Sequence, residues 1–187
     1  VNGVASLFTE EFYGRIIHYL KPGGHLVQWI QAYELEPRLM ASVMKALAKT
    51  FPYATLFLTN KSNLLLVASL DQPIGPMSEA FMSSKAMRDI LTRYGIFTIG
   101  DLENYRLASL KTLQPLFDSY AAPSNSDYFP FLDIHATRSR FMKATSGELT
   151  AINRTIVPII KMLEPGQHAN ASWTAGKQVA HPAVQAI

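Results

Sequence analysis

Two apolar runs, "ATLFLT" at Ala54 to Thr59 and "LLLVAS" at Leu64 to Ser69, are separated only by Asn60-Lys61-Ser62-Asn63. A parallel pair of strands needs a crossover of roughly a dozen residues or more, so this short link forces an antiparallel hairpin. Every other part of the fold has to fit around that hairpin.

The sequence before it has a different period. Phe8, Phe12, Ile16, Tyr19 and Leu20 recur at three or four, Thr9 is placed to cap, and Glu10 and Glu11 lie where the helix dipole favours negative charge. The spacing predicts an amphipathic helix from Phe8 to Leu20. Lys21-Pro22-Gly23-Gly24 ends it, and His25 to Gln31 reads as a short strand. Pro37 suits a first helical position, with Leu39, Met40, Val43, Met44 and Leu47 striping a second helix from Pro37 to about Thr50. The order is then helix, strand, helix, strand, strand. The first two strands, joined by a helix, are expected as parallel neighbours, and the last pair reverses. Three strands make a poor free-standing doubly wound sheet, because the first shows an unpaired edge and the apolar helix faces lack cover. Residues 1–71 therefore read as half of an α/β domain.

Residues 72–164 read as a helical extension. Ser78 and Glu79 open a helix that Gly95 closes, and a looser helical stretch runs from Asp101 to about Tyr120. A polar, proline-bounded loop over 121–133 leads into a short apolar piece. Thr145-Ser146-Gly147-Glu148 has capping-box spacing ahead of Leu149, Ile152 and Ile156, with Pro158 expected to kink that helix. The tail, 165–187, has no assigned structure.

Composition narrows the function classes. The chain has 187 residues, 48% of them hydrophobic and 17% charged, as expected for a soluble folded domain. It has no cysteine, which excludes disulfides and thiolate metal sites. The net charge of +3 comes from scattered Lys and Arg that form no stripe for a phosphate backbone, so no nucleic-acid partner is expected. No apolar run reaches the length of a membrane span, and the start lacks a signal-peptide pattern, so a cytoplasmic chain is expected. With Val at position 1, further polypeptide is expected to precede it.

Candidate chemistry is sparse. The five histidines, His18, His25, His135, His168 and His181, include no pair with helical zinc spacing, and no nucleophile elbow or glycine-rich phosphate loop occurs. Lys21-Pro22-Gly23-Gly24 has the wrong polarity for a ligand loop, since such loops follow a strand and precede a helix. The strand after it has more to offer. An open α/β sheet presents the C-terminal ends of its strands to ligand, and here that end carries Gln28, Trp29, Gln31 and Tyr33 as candidate substrate-binding residues, followed by Glu34. Packing of Trp29 and Tyr33 into the core, with the glutamines in solvent, is an equal alternative. Asp127 and Asp133 could share general acid and base roles, but Asn125-Ser126-Asp127 before Pro130 is also ordinary turn chemistry. The sequons at Asn60, Asn153 and Asn170 are common by chance.

Three stretches, "GVASLFTEEFYGRIIHYLKPGGHLVQWIQAYEL", "FPYATLFLTNKSNLLLVAS" and "NSDYFPFLDIHA", resemble the C-terminal half of spermidine synthase-like proteins, over about Val1 to Met142. The resemblance implies the C-terminal half of a Rossmann-like methyltransferase sheet of seven strands, ending in an antiparallel hairpin, of which this chain holds the fifth, sixth and seventh. It implies a parent that transfers an aminopropyl group from decarboxylated S-adenosylmethionine to a polyamine such as putrescine. The family's nucleoside loop, ribose-binding acid and catalytic aspartate precede the "LFTEEFY" helix. No residue here matches them, no cofactor is expected in this chain, and the chain alone is expected to be inactive. A family glutamine near the end of the fifth strand lines the substrate site; Gln28 falls one residue early, with Trp29 at the matching place. Asn60-Lys61-Ser62-Asn63 replaces the family's aromatic, glycine-containing turn. An S-adenosylmethionine-dependent methyltransferase fragment, or a non-catalytic module forming a homodimer, are the rival readings.

Overall fold

Pro37 supplies the fixed φ of a first helical residue, and from it α2 runs over Pro37–Ala48. Leu39, Met40, Val43, Met44 and Leu47 along it are fully buried, so this helix is the spine of the core. The computed structural model describes residues 4–31, 35–59 and 63–141, with backbone only over 137–141. Ahead of α2 come a 3₁₀ turn at Ala5–Phe8, α1 over Glu10–Ile16, a second 3₁₀ turn at Ile17–Tyr19 and β1 over His25–Gln31. After it come β2 (Tyr53–Leu58), β3 (Asn63–Ser69), a 3₁₀ turn at Glu79–Ser83, α3 (Lys85–Arg93), α4 (Ile99–Glu103), β4 (Arg106–Ser109), α5 (Leu110–Ser119) and α6 (Phe131–Phe141).

The expected hairpin is present: β2 and β3 pair antiparallel from Tyr53↔Ser69 to Leu58↔Leu64. Two other expectations are corrected. Among the described residues the sheet has four strands, in the order β1-β3-β2-β4, and every pairing is antiparallel. β1 and β2 are not neighbours, because β3 lies between them and pairs with both. The composition of β3 accounts for this: Leu64 to Ala68 carries no polar side chain, so the middle of the sheet, paired on both edges, suits it best.

The fourth strand comes from the stretch read as helical between Asp101 and Tyr120. Thr98 caps α4 in a reciprocal capping box with Asp101, the helix ends by Asn104, and Arg106, Leu107 and Ala108 then extend along β2. Ser109 accepts from the Thr112 N–H and starts α5. Two Ser/Thr caps 11 residues apart thus bracket a strand too short to show a period of its own. The expected helix from Ser78 to Gly95 is likewise divided, by the extended backbone of Ser84. The expected helix at 145–163 and the tail lie outside the described residues.

Helices α1, α2, α5 and α6 cover one face of the sheet. Leu26, Ile30, Leu56, Leu64, Leu66 and Ala68 point into a core shared with Tyr13 of α1, with α2, and with Leu113 and Phe117 of α5. Phe131, Leu132 and Ala136 of α6 close it. The opposite face carries the alternate residues of the same strands.

Candidate functional site

β1 alternates strictly, so its four candidate residues separate. Gln28 points to the helical side, between Leu26 and Ile30. The Tyr13 hydroxyl donates to Gln28 Oε1 at 2.7 Å, and Gln28 Nε2 donates to the Leu7 carbonyl at 2.8 Å. Burial pushes the Tyr13 phenol far above its ordinary pKa, which keeps the donating proton in place. Gln28 is thus a tie between the sheet and the first helical segment, with both its amide oxygen and its amide nitrogen bonded. Trp29 stands on the opposite, open face, and Gln31 shares that face. Tyr33 and Glu34 lie outside the described residues.

The turn before β1 is structural. Gly23 has φ +72°, a conformation that side chains resist, and its N–H donates to Asp71 Oδ2 at 2.7 Å just past the end of β3. The Gly24 N–H closes the turn onto Lys21 O at 2.8 Å, and a Cβ on Gly24 would meet that oxygen at 2.8 Å. The turn anchors β1 against β3 and presents no cradle.

On the open face the ladder sets two rows, Trp29 beside Leu65 beside Phe57, and Val27 beside Val67 beside Thr55. The β2 end of these rows is covered. Arg106, 6% exposed, lays its guanidinium over the Phe57 ring at 4.9 Å and donates to both Glu103 carboxylate oxygens and to the carbonyls of Ile74 and Gly75. The Met77 N–H also donates to Glu103, at 2.6 Å. This clasp holds the loop after β3 against the sheet. The β1 end is bare: Val27 is 56% and Trp29 53% exposed.

The loop over 121–133 holds the most connected polar residue. Asn125 is fully buried; its Nδ2 donates to the Phe8 carbonyl at 3.0 Å, and its Oδ1 accepts from the Leu132 N–H at 3.0 Å. Its backbone accepts from Glu10 N–H and donates to the Ser42 carbonyl. Four segments meet on one side chain and its peptide groups. Asp127 faces Arg15 at 2.9 Å, and its N–H donates to Glu11, so the turn reading describes it better than a general acid or base. Asp133, on the first turn of α6, is exposed and lies apart from the β1 candidates.

A shallow cleft of about 430 Å³ lies on the helical side, lined by Lys45, Ala48, Lys49, Gln114 and Ser124. Its cations are engaged: Lys45 donates to the Tyr120 and Ala122 carbonyls, and Lys49 pairs with Glu10 at 2.5 Å. Among the described residues no group of three His, Asp or Glu is placed to hold a metal ion, and no helix is long and apolar enough to cross a membrane. Comparison of the chain with protein-family models, with curated proteins and with solved structures finds no match in any of the three.

Sequence reasoning missed the Arg106 and Asn125 centres. Asn125 stood in a run read as turn chemistry, and only its contacts with residues more than a hundred positions away distinguish it. Arg106 lay inside a stretch read as helix.

Proposed function

We propose that the chain is the C-terminal portion of a spermidine synthase-like, S-adenosylmethionine-type Rossmann domain, whose parent transfers an aminopropyl group from decarboxylated S-adenosylmethionine to a polyamine. The observation that carries this reading is the succession of helix, Gly23-Gly24 turn, strand, helix and antiparallel hairpin, with the hairpin where the resemblance requires it. Transfer of this kind is attack by a neutral amine on the carbon beside a sulfonium, which needs a general base and an acidic or aromatic pocket for the polyamine. Gln28 is committed to Tyr13 and Leu7, so in this reading the chain's contribution to the pocket comes from Trp29 and Gln31 on the open face, with Tyr33, outside the described residues, as the remaining candidate. The base and the nucleoside loop belong to motifs that residues 1–187 do not contain.

Calorimetric titration of the 187-residue chain with methylthioadenosine is expected to give no heat of binding, and tight binding would overturn the proposed division of labour. Aminopropyl and methyl transfer, measured side by side on the product of the complete gene, decide between this reading and a methyltransferase of the same sheet type.

A further inference from the structure

The segment between β3 and the 3₁₀ turn at Glu79–Ser83 is built as a rod. Pro73 and Pro76 each hold φ at about −65°, and each pushes the residue before it, Gln72 or Gly75, to extended backbone. Gly75 does not take the positive φ that Gly23 and Gly95 take. Ser78, the last residue before the turn, has φ −80° and ψ 134°, which are polyproline-II angles. Residues 73–78 belong to no helix or strand. Exposure along the segment repeats every third residue: Ile74 and Met77 are half-buried, while Gln72, Pro73, Gly75, Pro76 and Ser78 are exposed. A polyproline-II helix has three residues per turn, so Pro73 and Pro76 share one outward edge, and Ile74 and Met77 share the inward one.

The rod is held from one side. Such a helix makes no backbone bonds of its own. Here Arg106 donates to the Ile74 and Gly75 carbonyls at 3.1 and 2.6 Å, and the Met77 N–H donates to Glu103 at 2.6 Å. This clasp leaves the proline edge bare. A Cβ on Gly75, between the two prolines, would meet nothing within 4 Å. The flanking charges are acidic: Asp71 and Glu79 are both exposed, and no Lys or Arg lies between them.

We propose that residues 71–79 are a recognition segment for a protein partner with an aromatic-lined groove whose rim carries Lys or Arg. Grooves of that kind read prolines three positions apart on a polyproline-II helix, which is the spacing of Pro73 and Pro76. The clasp supplies what a free proline-rich peptide lacks, a backbone ordered before the partner arrives. The acidic flanks select a basic rim, because like charges facing each other across a contact reject the wrong partner. Stiffening of the loop does not account for the outward edge: the bonds that secure the loop run through Ile74, Gly75 and Met77, while both pyrrolidine rings stand in solvent. The inference is independent of the transfer chemistry proposed above and uses none of the β1 residues.

The test titrates the 187-residue chain, followed by amide NMR, with a PxxP-binding domain whose groove is lined by Trp and Tyr, in two versions that carry Lys or Glu at the rim. Shifts are expected to centre on residues 71–79, with the Lys-rimmed version binding about tenfold more tightly than the Glu-rimmed one. A free peptide of residues 71–79 should bind about tenfold more weakly than the chain, because its backbone is not ordered beforehand. Gly75→Lys, whose Cβ meets no neighbour, should weaken binding of the Lys-rimmed domain about tenfold while leaving the thermal midpoint of the chain unchanged. Pro73→Ala combined with Pro76→Ala should weaken binding as much, through loss of the ring contacts. If that double variant does not fold, Gly75→Lys decides alone. No shifts at 71–79, equal or tighter binding of the Glu-rimmed version, a peptide that binds as well as the chain, or a folded variant that binds like the unsubstituted chain would each overturn the proposal.

Discussion

The loop around Asn125 and the strand around Trp29 invert each other. The loop is polar in sequence, yet Asn125 is fully buried and its polar groups are satisfied by Ala5, Phe8, Glu10, Ser42 and Leu132. The strand is mostly apolar, yet half of it faces outward, with Val27 and Trp29 lying open. Polarity along the chain therefore does not mark which surface remains available for binding. What marks it is whether the groups have found partners, and by that measure Asn125 is closed and the Val27 and Trp29 side chains are open.

Substitutions on the two sides should break that contrast in graded steps. The largest effect is expected where a closed region loses a charge. Arg106→Ala takes the cation from beside the Glu103 carboxylate, which keeps the Met77 N–H, removes the donor to the Ile74 and Gly75 carbonyls and should cost about 3 to 5 kcal/mol in urea unfolding. A loss below about 1 kcal/mol would show that the clasp is not what secures the loop after β3. Asn125→Ala leaves the Phe8 carbonyl and Leu132 N–H without partners and should cost about 2 to 4 kcal/mol. Gln28→Leu removes the acceptor of the Tyr13 hydroxyl and should cost about 1 to 3 kcal/mol. A neutral result for that variant would reopen Gln28 as a ligand-facing residue.

Acid should act on the closed side. The N–H of Phe97, with further bonds from Thr98, holds the Asp101 carboxyl below its ordinary range despite partial burial. At Glu10 burial works upward, but hydrogen bonds from Lys49 and Ser124 together with the Lys49 charge outweigh it and the net shift is downward. Both carboxylates are worth more to the folded state when ionised, so their contribution is complete above the ordinary values of 4.5 and 3.8 and is lost as pH falls below them. Thermal midpoints should therefore be flat near neutrality and fall in that acid range, and Asp101→Asn should flatten the fall. The smallest effect belongs to the open side: Val27→Lys should change stability by no more than about 0.5 kcal/mol, since its side chain already stands in solvent.

Much of this fold could be read from residue spacing. The four-residue link dictated the hairpin, Pro37 and the apolar stripe after it dictated α2, and Gly23-Gly24 marked the turn into β1, because each rests on local geometry. Strand order could not be read in the same way. Whether β3 pairs with β1 depends on which edge best buries Leu64 to Ala68, a comparison between distant segments. β4 was hidden for a related reason, since four residues hold no periodicity and Arg106 looks like a helix residue until Phe57 and Glu103 surround it. At the candidate site, alternation along β1 was legible, but which face the helices would cover was not. That single bit separated Gln28 from Trp29.

The Asn125 junction also sets a schedule for synthesis. Its bonds to Ala5 and Phe8 span 120 and 117 positions. On a ribosome adding about 5 to 20 residues per second, the first helical segment waits about 6 to 24 seconds before the residue that fastens it has been made. Through that interval the first helical segment lacks its Asn125 fastening. A chaperone that shields nascent apolar helices would, within these residues, meet α1 first.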